Sequence, residues 1–192
     1  MLIIHQKHNM EQQSTFWKTA MVYGLYIGIL ITLYSVILYV IGQSQNKVLA
    51  YLPVIIYAVC IILAQIYYRD RDLNGSISYG EAVGFGVVVM LFSGIISALY
   101  NLIIFKIHPS LIEQIKIAQE EAYLKSGWSE EKIETTMSVA SKFMTPGWMA
   151  IMGLFGAVMM GTVISLVTSI FVKRQPDQDA FEDAMEDVKT EQ

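Results

Sequence analysis

The sequence predicts an all-α integral membrane protein, with four transmembrane helices and an extracytoplasmic amphipathic helical hairpin between helices 3 and 4. Three observations carry that expectation. Hydrophobic residues make up 54% of the 192 residues and charged residues only 16%, against about 45–50% and roughly 25% in soluble domains. The excess lies in four uncharged runs, each long enough to cross ~30 Å of hydrocarbon at about 1.5 Å per residue. Between the third and fourth runs the chain instead mixes charged and apolar residues at helical spacing.

Residues 1–18 read as a cytoplasmic N-terminus. MLIIHQKHN shows no clear periodicity, and Met10 is an alternative start. Span 1, Thr19–Gly42, is too long for a signal-peptide core and lacks a small-residue cleavage site after it, so it is expected to stay as a signal anchor. Span 2, Val48–Tyr68, has Pro53 in its first turn, where proline is tolerated. The lone cysteine, Cys60, excludes an intrachain disulfide and reads as a small buried hydrophobe.

Next comes RDRDLNGSISYGEAVGFG, residues 69–86. LNGS supplies turn residues, and Ser78-Tyr-Gly-Glu81 fits the S-x-x-E capping box, in which both side chains satisfy free backbone N–H groups. The alternative makes Glu81 an ionisable group at the mouth of a pathway between helices. Its position at the span boundary favours the cap. Span 3 follows over Ala82–Phe105.

Residues 107–145 form the hairpin. Pro109 and Ser110-Leu-Ile-Glu113 predict a second capping box, and Leu111, Ile115, Ala118 and Ala122 follow at helical spacing. Gly127 is the expected stop. Ser129 opens a second helix with Ile133, Met137, Ala140 and Met144 on one stripe. Such a hairpin covers its own helices, lies on lipid or presents a partner surface. Trp128 and Trp148 are candidate interfacial anchors. Pro146 opens span 4, Pro146–Val172. Residues 173–192 then form an acidic cytoplasmic tail, a major source of the net charge of −4, with Phe181, Met185 and Val188 on one helical face.

Four crossings put both termini on one side. That side collects Lys18, Arg69, Arg71, Lys173 and Arg174, against Lys47, Lys106 and Lys142 on the other. The positive-inside rule makes the first side cytoplasmic. The spans together form a transmembrane domain over residues 19–172.

Chemistry leaves residue types at spacings, and few are here. His5, His8 and His108 fall on opposite sides of the membrane, and no Cys/His cluster suggests a metal or other cofactor. Gly80, Gly84 and Gly86 are followed by no G-K-[ST], and no G-x-S-x-G occurs. The span interiors carry no Asp, Lys, Arg or His, the usual groups of a proton relay or pump. Nothing suggests nucleic acid.

Small residues four apart are abundant instead. Ala20, Gly24, Gly28 and Thr32 recur in span 1, and Gly94 and Ala98 in span 3 beside a polar line of Ser93, Ser97 and Asn101. Span 4 has Gly153, Ala157, Gly161, Ser165 and Ser169 without a break. Such grooves let helix backbones approach in lipid, either within one chain's four-helix bundle or between chains. Asn101 is expected to face a neighbouring helix.

The runs WKTAMVYGLYIGI (17–29), NGSISYGEAVGFGVVV (74–89) and SGIISALYNLIIFKIHPSLIE (93–113), with the closing apolar span, resemble a family of bacterial integral membrane proteins. This is domain of unknown function 4199, found mostly in the Bacteroidota. The resemblance covers about Met10 to Arg174. It implies four transmembrane helices and an inner-membrane location, and no catalytic residue.

The expected function is therefore that of a non-enzymatic inner-membrane protein, a scaffold or accessory subunit whose partners are the bilayer and either a second copy or another membrane protein. The alternative is a small transporter or channel subunit using Glu81, Ser93, Ser97, Asn101, Tyr79 and Tyr100 around a polar cavity. A lipid-modifying enzyme ranks third.

Overall fold

The computed structural model describes residues 2–44, 46 and 48–174, with side chains from Gln13 onward. Among the described residues six α-helices follow one another: α1 (Leu2–Val40), α2 (Leu52–Tyr67), α3 (Tyr79–Ile107), α4 (Ser110–Lys125), α5 (Glu130–Phe143) and α6 (Pro146–Val172). No strand forms among the described residues beyond an isolated antiparallel bridge, Ile77 with Arg174. Four segments are long and apolar enough to cross a membrane: Gln13–Val40, Leu49–Asp72, Tyr79–Ile107 and Pro146–Val172.

Two boundaries differ from those the sequence suggests. The helix of α1 begins at Leu2, where no periodicity announced one, because a helix once nucleated extends at little cost per residue. The charged run after α2 is also helical. Tyr68–Asp72 continues α2 as a π-helical turn, and the chain reverses only at Asn74 (φ 54°) and Gly75 (φ 90°). The left-handed region needs Gly or Asn, and the sequence supplies both in order. The acidic tail with Phe181, Met185 and Val188, and the side chains of His5, His8 and Met10, lie outside the described residues.

The chain divides into two compact units. Among the described residues, the first contains 2–23, 48–89 and 160–174. Its core is aromatic at one level: Tyr68 stacks on Phe85 with centroids 4.3 Å apart, and Phe16 meets both rings edge-on at 5.7 Å. Ala20, Ala64 and Ala82 are fully buried, which lets α1, α2 and α3 approach closely. At Gly86 a Cβ would collide with Ser165 Oγ and lie 3.1 Å from Gln65 Nε2. Cys60 of α2 is half-buried and free.

The second unit contains residues 24–46 and 90–159. Gly28 of α1 presses on α3, where an added Cβ would lie 2.8 Å from Ile96 Cβ and 3.1 Å from the Ser93 carbonyl. Gly94 of α3 presses on α6 in the same way, against Leu154 and Ala157. Helices α4 and α5 pack as the hairpin. Its turn is a Schellman motif: Gly127 at φ 79° donates to the Leu124 carbonyl at 3.0 Å, and Trp128 donates to the Tyr123 carbonyl at 3.2 Å. The accompanying apolar contact is Trp128 stacked on Tyr123 at 4.6 Å, with Lys132 Nζ 3.9 Å from the ring centre on Trp128. Trp128 is thus held within the hairpin, whereas Trp148 is exposed and leans on Phe143.

The expected cap at Ser110 does not form. Pro109 is the N-cap, no side chain caps the helix, and Ser110 is its first residue. Leu111 and Ile112 donate to the His108 and Pro109 carbonyls, so the first turn is closed by backbone before a hydroxyl is needed. Glu113 pairs with Lys116 at 3.4 Å instead. The buried residue of α4 is Ile112, with Leu111, Ile115 and Ala118 half-buried and Ala122 exposed. On α5, Ile133 and Met137 are buried as expected.

Because Gly86 is closed by Ser165 while Gly84 has open space, Gly86→Ala is expected to cost about 1–3 kcal/mol. Gly84→Ala is expected to be neutral or slightly stabilising by helix propensity, by up to about 1 kcal/mol. Thermal unfolding of both purified variants in one detergent checks this, and equal losses would refute the close approach.

Candidate functional site

Two polar sites stand out, one in each unit. In the first unit a buried amide ties three helices. Gln65 of α2, fully buried, donates from Nε2 to the Ala82 carbonyl of α3 at 2.9 Å and to Ser169 Oγ of α6 at 3.0 Å. Its Oε1 and the Ser165 hydroxyl have no hydrogen-bond partner among the described residues.

One helical turn later the charged stretch continues the ties. Arg69 Nη1 donates to the Val172 carbonyl at 3.0 Å, closing the C-terminus of α6, while Nε and Nη2 hold the Asp70 carboxylate at 2.7 and 3.2 Å. A guanidinium at a helix C-terminus suits both the free carbonyls and the negative end of the dipole. Thr19 Oγ1 of α1 donates to Asp72 at 2.7 Å. Ile77 and Arg174 exchange both backbone bonds, at 2.7 and 3.0 Å. Tyr79 donates from its hydroxyl to the Leu166 carbonyl at 3.0 Å.

Glu81 sits in this unit, half-buried. Half of the expected capping box is present: Ser78 Oγ accepts from the Glu81 N–H at 3.3 Å. The other half is missing: no hydrogen bond from the Ser78 N–H to the Glu81 carboxylate forms among the described residues. The stacking of Tyr68 on Phe85 sets the phenol ring beside the first turns of α3, on the side of Glu81.

In the second unit, α1, α3 and the start of α4 line a partly open cavity of about 330 Å³. Its polar wall is Ser35 and Tyr39 of α1, Ser44 beyond it, and Tyr100 and Asn101 of α3. Its apolar wall is Leu38, Ile104 and Phe105, with Leu111 and Ile115 of α4. No charged side chain lines it. His108 packs on Tyr39 with centroids 5.5 Å apart.

The residues singled out from sequence fall as follows. Asn101 lines the cavity and Glu81 does not. Ser93 is fully buried, and its hydroxyl and that of Ser97 have no partner among the described residues. On α6, Gly153 is exposed, 3.9 Å from Asn101 Nδ2 at its Cβ position, and Gly161 is buried. Gln65, Tyr68, Ser35, Tyr39 and Ser44 were not singled out. For Gln65 a signal existed: an amide in an uncharged span is costly in lipid unless another helix receives it.

The family model of a protein of unknown function, DUF4199, matches residues 22–174. The chain belongs to that family. Among curated proteins and solved structures, none matches it. The match starts inside α1 and ends at the residue that bridges Ile77, so Gln65, Arg69, Glu81 and the residues that line the cavity all lie within it.

With only the Ser78 half of the box in place, Ser78→Ala is expected to cost about 1 kcal/mol. Glu81→Gln leaves that bond intact and is expected to cost less than about half as much. Chemical or thermal unfolding of the two variants decides. A loss from Glu81→Gln matching that of Ser78→Ala would assign the carboxylate the larger structural role, at Tyr68.

Proposed function

We propose that this DUF4199 protein is a non-enzymatic scaffold or accessory subunit of a bacterial inner-membrane assembly, with both termini cytoplasmic and the α4–α5 hairpin outside. The observation that carries the reading is how the polar groups of the first unit are used. Gln65, Arg69, Asp72, Thr19 and Tyr79 all bind other helices of the same chain. The small-residue stripe of α6 also turns inward at Gly161, Ser165 and Ser169. What α6 leaves outward is large and apolar, Phe155, Val163 and Phe171 among others, each more than half exposed. That surface suits lipid and a membrane partner alike.

The ties also support the orientation. Arg69 reaches the end of α6, Ile77 bridges Arg174, and Asp72 receives Thr19, which gathers the positive charges near residues 18, 69, 71, 173 and 174 at one face. The positive-inside rule then makes that face cytoplasmic.

A second reading, a small transporter or channel subunit, has one observation behind it: the unpartnered hydroxyls of Ser93 and Ser97 stand in line on α3 with Asn101 at the cavity. Affinity purification of a tagged copy from native membranes in mild detergent separates the two. A stoichiometric partner is the outcome expected for an accessory subunit. A homogeneous particle without one would overturn that reading and send the question to flux measurements on reconstituted protein.

A further inference from the structure

The cavity of the second unit contains an arrangement that the scaffold reading does not explain. Tyr39, Tyr100 and Asn101 converge on one space of about 330 Å³, and no hydrogen bond from their side chains is formed among the described residues. Ser35 is the contrast: its hydroxyl is satisfied by the Ile31 carbonyl at 3.0 Å, the usual solution for a serine in a helix. Tyr39, Tyr100 and Asn101 are half-buried, so their polar ends are neither spent on the protein nor fully open to solvent. Three such groups facing one cavity offer donors and acceptors to a guest.

The chemistry of the walls narrows the occupant. Without Lys, Arg or His in the lining, a phosphate or carboxylate would find no cation to pair with. Without Asp or Glu, an amine would do the same. The opposite wall is hydrocarbon and aromatic, Leu38, Ile104 and Phe105, which water alone does not match. The volume equals on the order of ten waters or one ring-sized molecule. The cavity lies at the last turns of α1 and α3, where the apolar spans end, the depth at which amphipathic molecules sit in a bilayer.

The geometry points to a binding site for a neutral amphiphile of ring size, whose hydroxyl or carbonyl head bonds Asn101, Tyr39 and Tyr100 and whose apolar body lies against Leu38, Ile104 and Phe105. Concave sites with a few convergent polar groups on an apolar wall are the common form of small-molecule sites. This site does not depend on whether the protein is a scaffold.

The test uses the full chain in lipid nanodiscs, with 2-naphthol as a neutral probe and 2-naphthalenesulfonate as its charged counterpart, by equilibrium dialysis against empty nanodiscs. Saturable uptake of naphthol at one per chain is expected, with none of the sulfonate. Asn101→Leu is expected to weaken naphthol binding about three- to tenfold, the worth of one neutral hydrogen bond, and the isosteric double variant Tyr39→Phe/Tyr100→Phe by at least as much. If Asn101→Leu fails to fold, the double variant decides. Uptake that only follows partitioning into empty discs, unchanged affinity in the folded variants, or equal binding of the sulfonate would each overturn the site.

Discussion

In a hydrocarbon surround a polar group has no water to fall back on, so its partner must come from the protein. Gln65 is where this constraint is sharpest. Its amide is fully buried in α2, and two of its hydrogen-bonding positions are taken by α3 and α6. Meeting the constraint fixes much else. For Nε2 to reach both Ala82 and Ser169, α3 must come close to α2 and α6, which is why Gly86 faces Ser165 with no room for a Cβ. The small residues around it serve the same approach: Ala64 one position before Gln65, Ala82 as the acceptor and Ser169 as the second partner.

The charged stretch after α2 extends that logic to the helix ends. Free carbonyls at the end of α6 receive Arg69 and the backbone of Ile77, and the start of α3 receives Ser78. RDRD would be an unremarkable turn if it began where the apolar run stops. Because α2 continues through it as a π turn, its side chains are placed by helix geometry. Arg69 and Asp72, three apart, are aimed at α6 and α1. π turns of this kind are uncommon and occur mostly as single turns within or at the end of an α-helix.

Much of this was legible in the sequence, and the rest failed for identifiable reasons. The apolar runs and the hairpin follow from length and periodicity, which report burial directly. Gly127 and Asn74-Gly75 were legible because the left-handed backbone nearly dictates its residue type. Ser78 was found and Ser110 was not a cap, although both fit the same motif; the difference is backbone closure by His108 and Pro109, a tertiary detail no spacing encodes. Gln65 leaves no mark in the charge pattern, because an amide bears no charge. The cavity escaped because its wall draws on α1, α3 and α4, and convergence of distant segments leaves no mark on any one of them.

The two polar sites answer the same constraint in opposite ways. In the first unit Thr19, Gln65, Arg69 and Tyr79 bond other helices, and two buried groups without a partner among the described residues, Gln65 Oε1 and the Ser165 hydroxyl, sit in tight packing beside Gly86. In the second unit the polar groups stand apart around open space, and Gly28 and Gly94 draw α3 close to α1 and α6 without closing it. A chain that needed Asn101 only for packing would bring a partner to its amide, as it does for Gln65. The same α3 thus satisfies one amide through its own backbone and leaves another facing a cavity, two different uses of polarity on one helix.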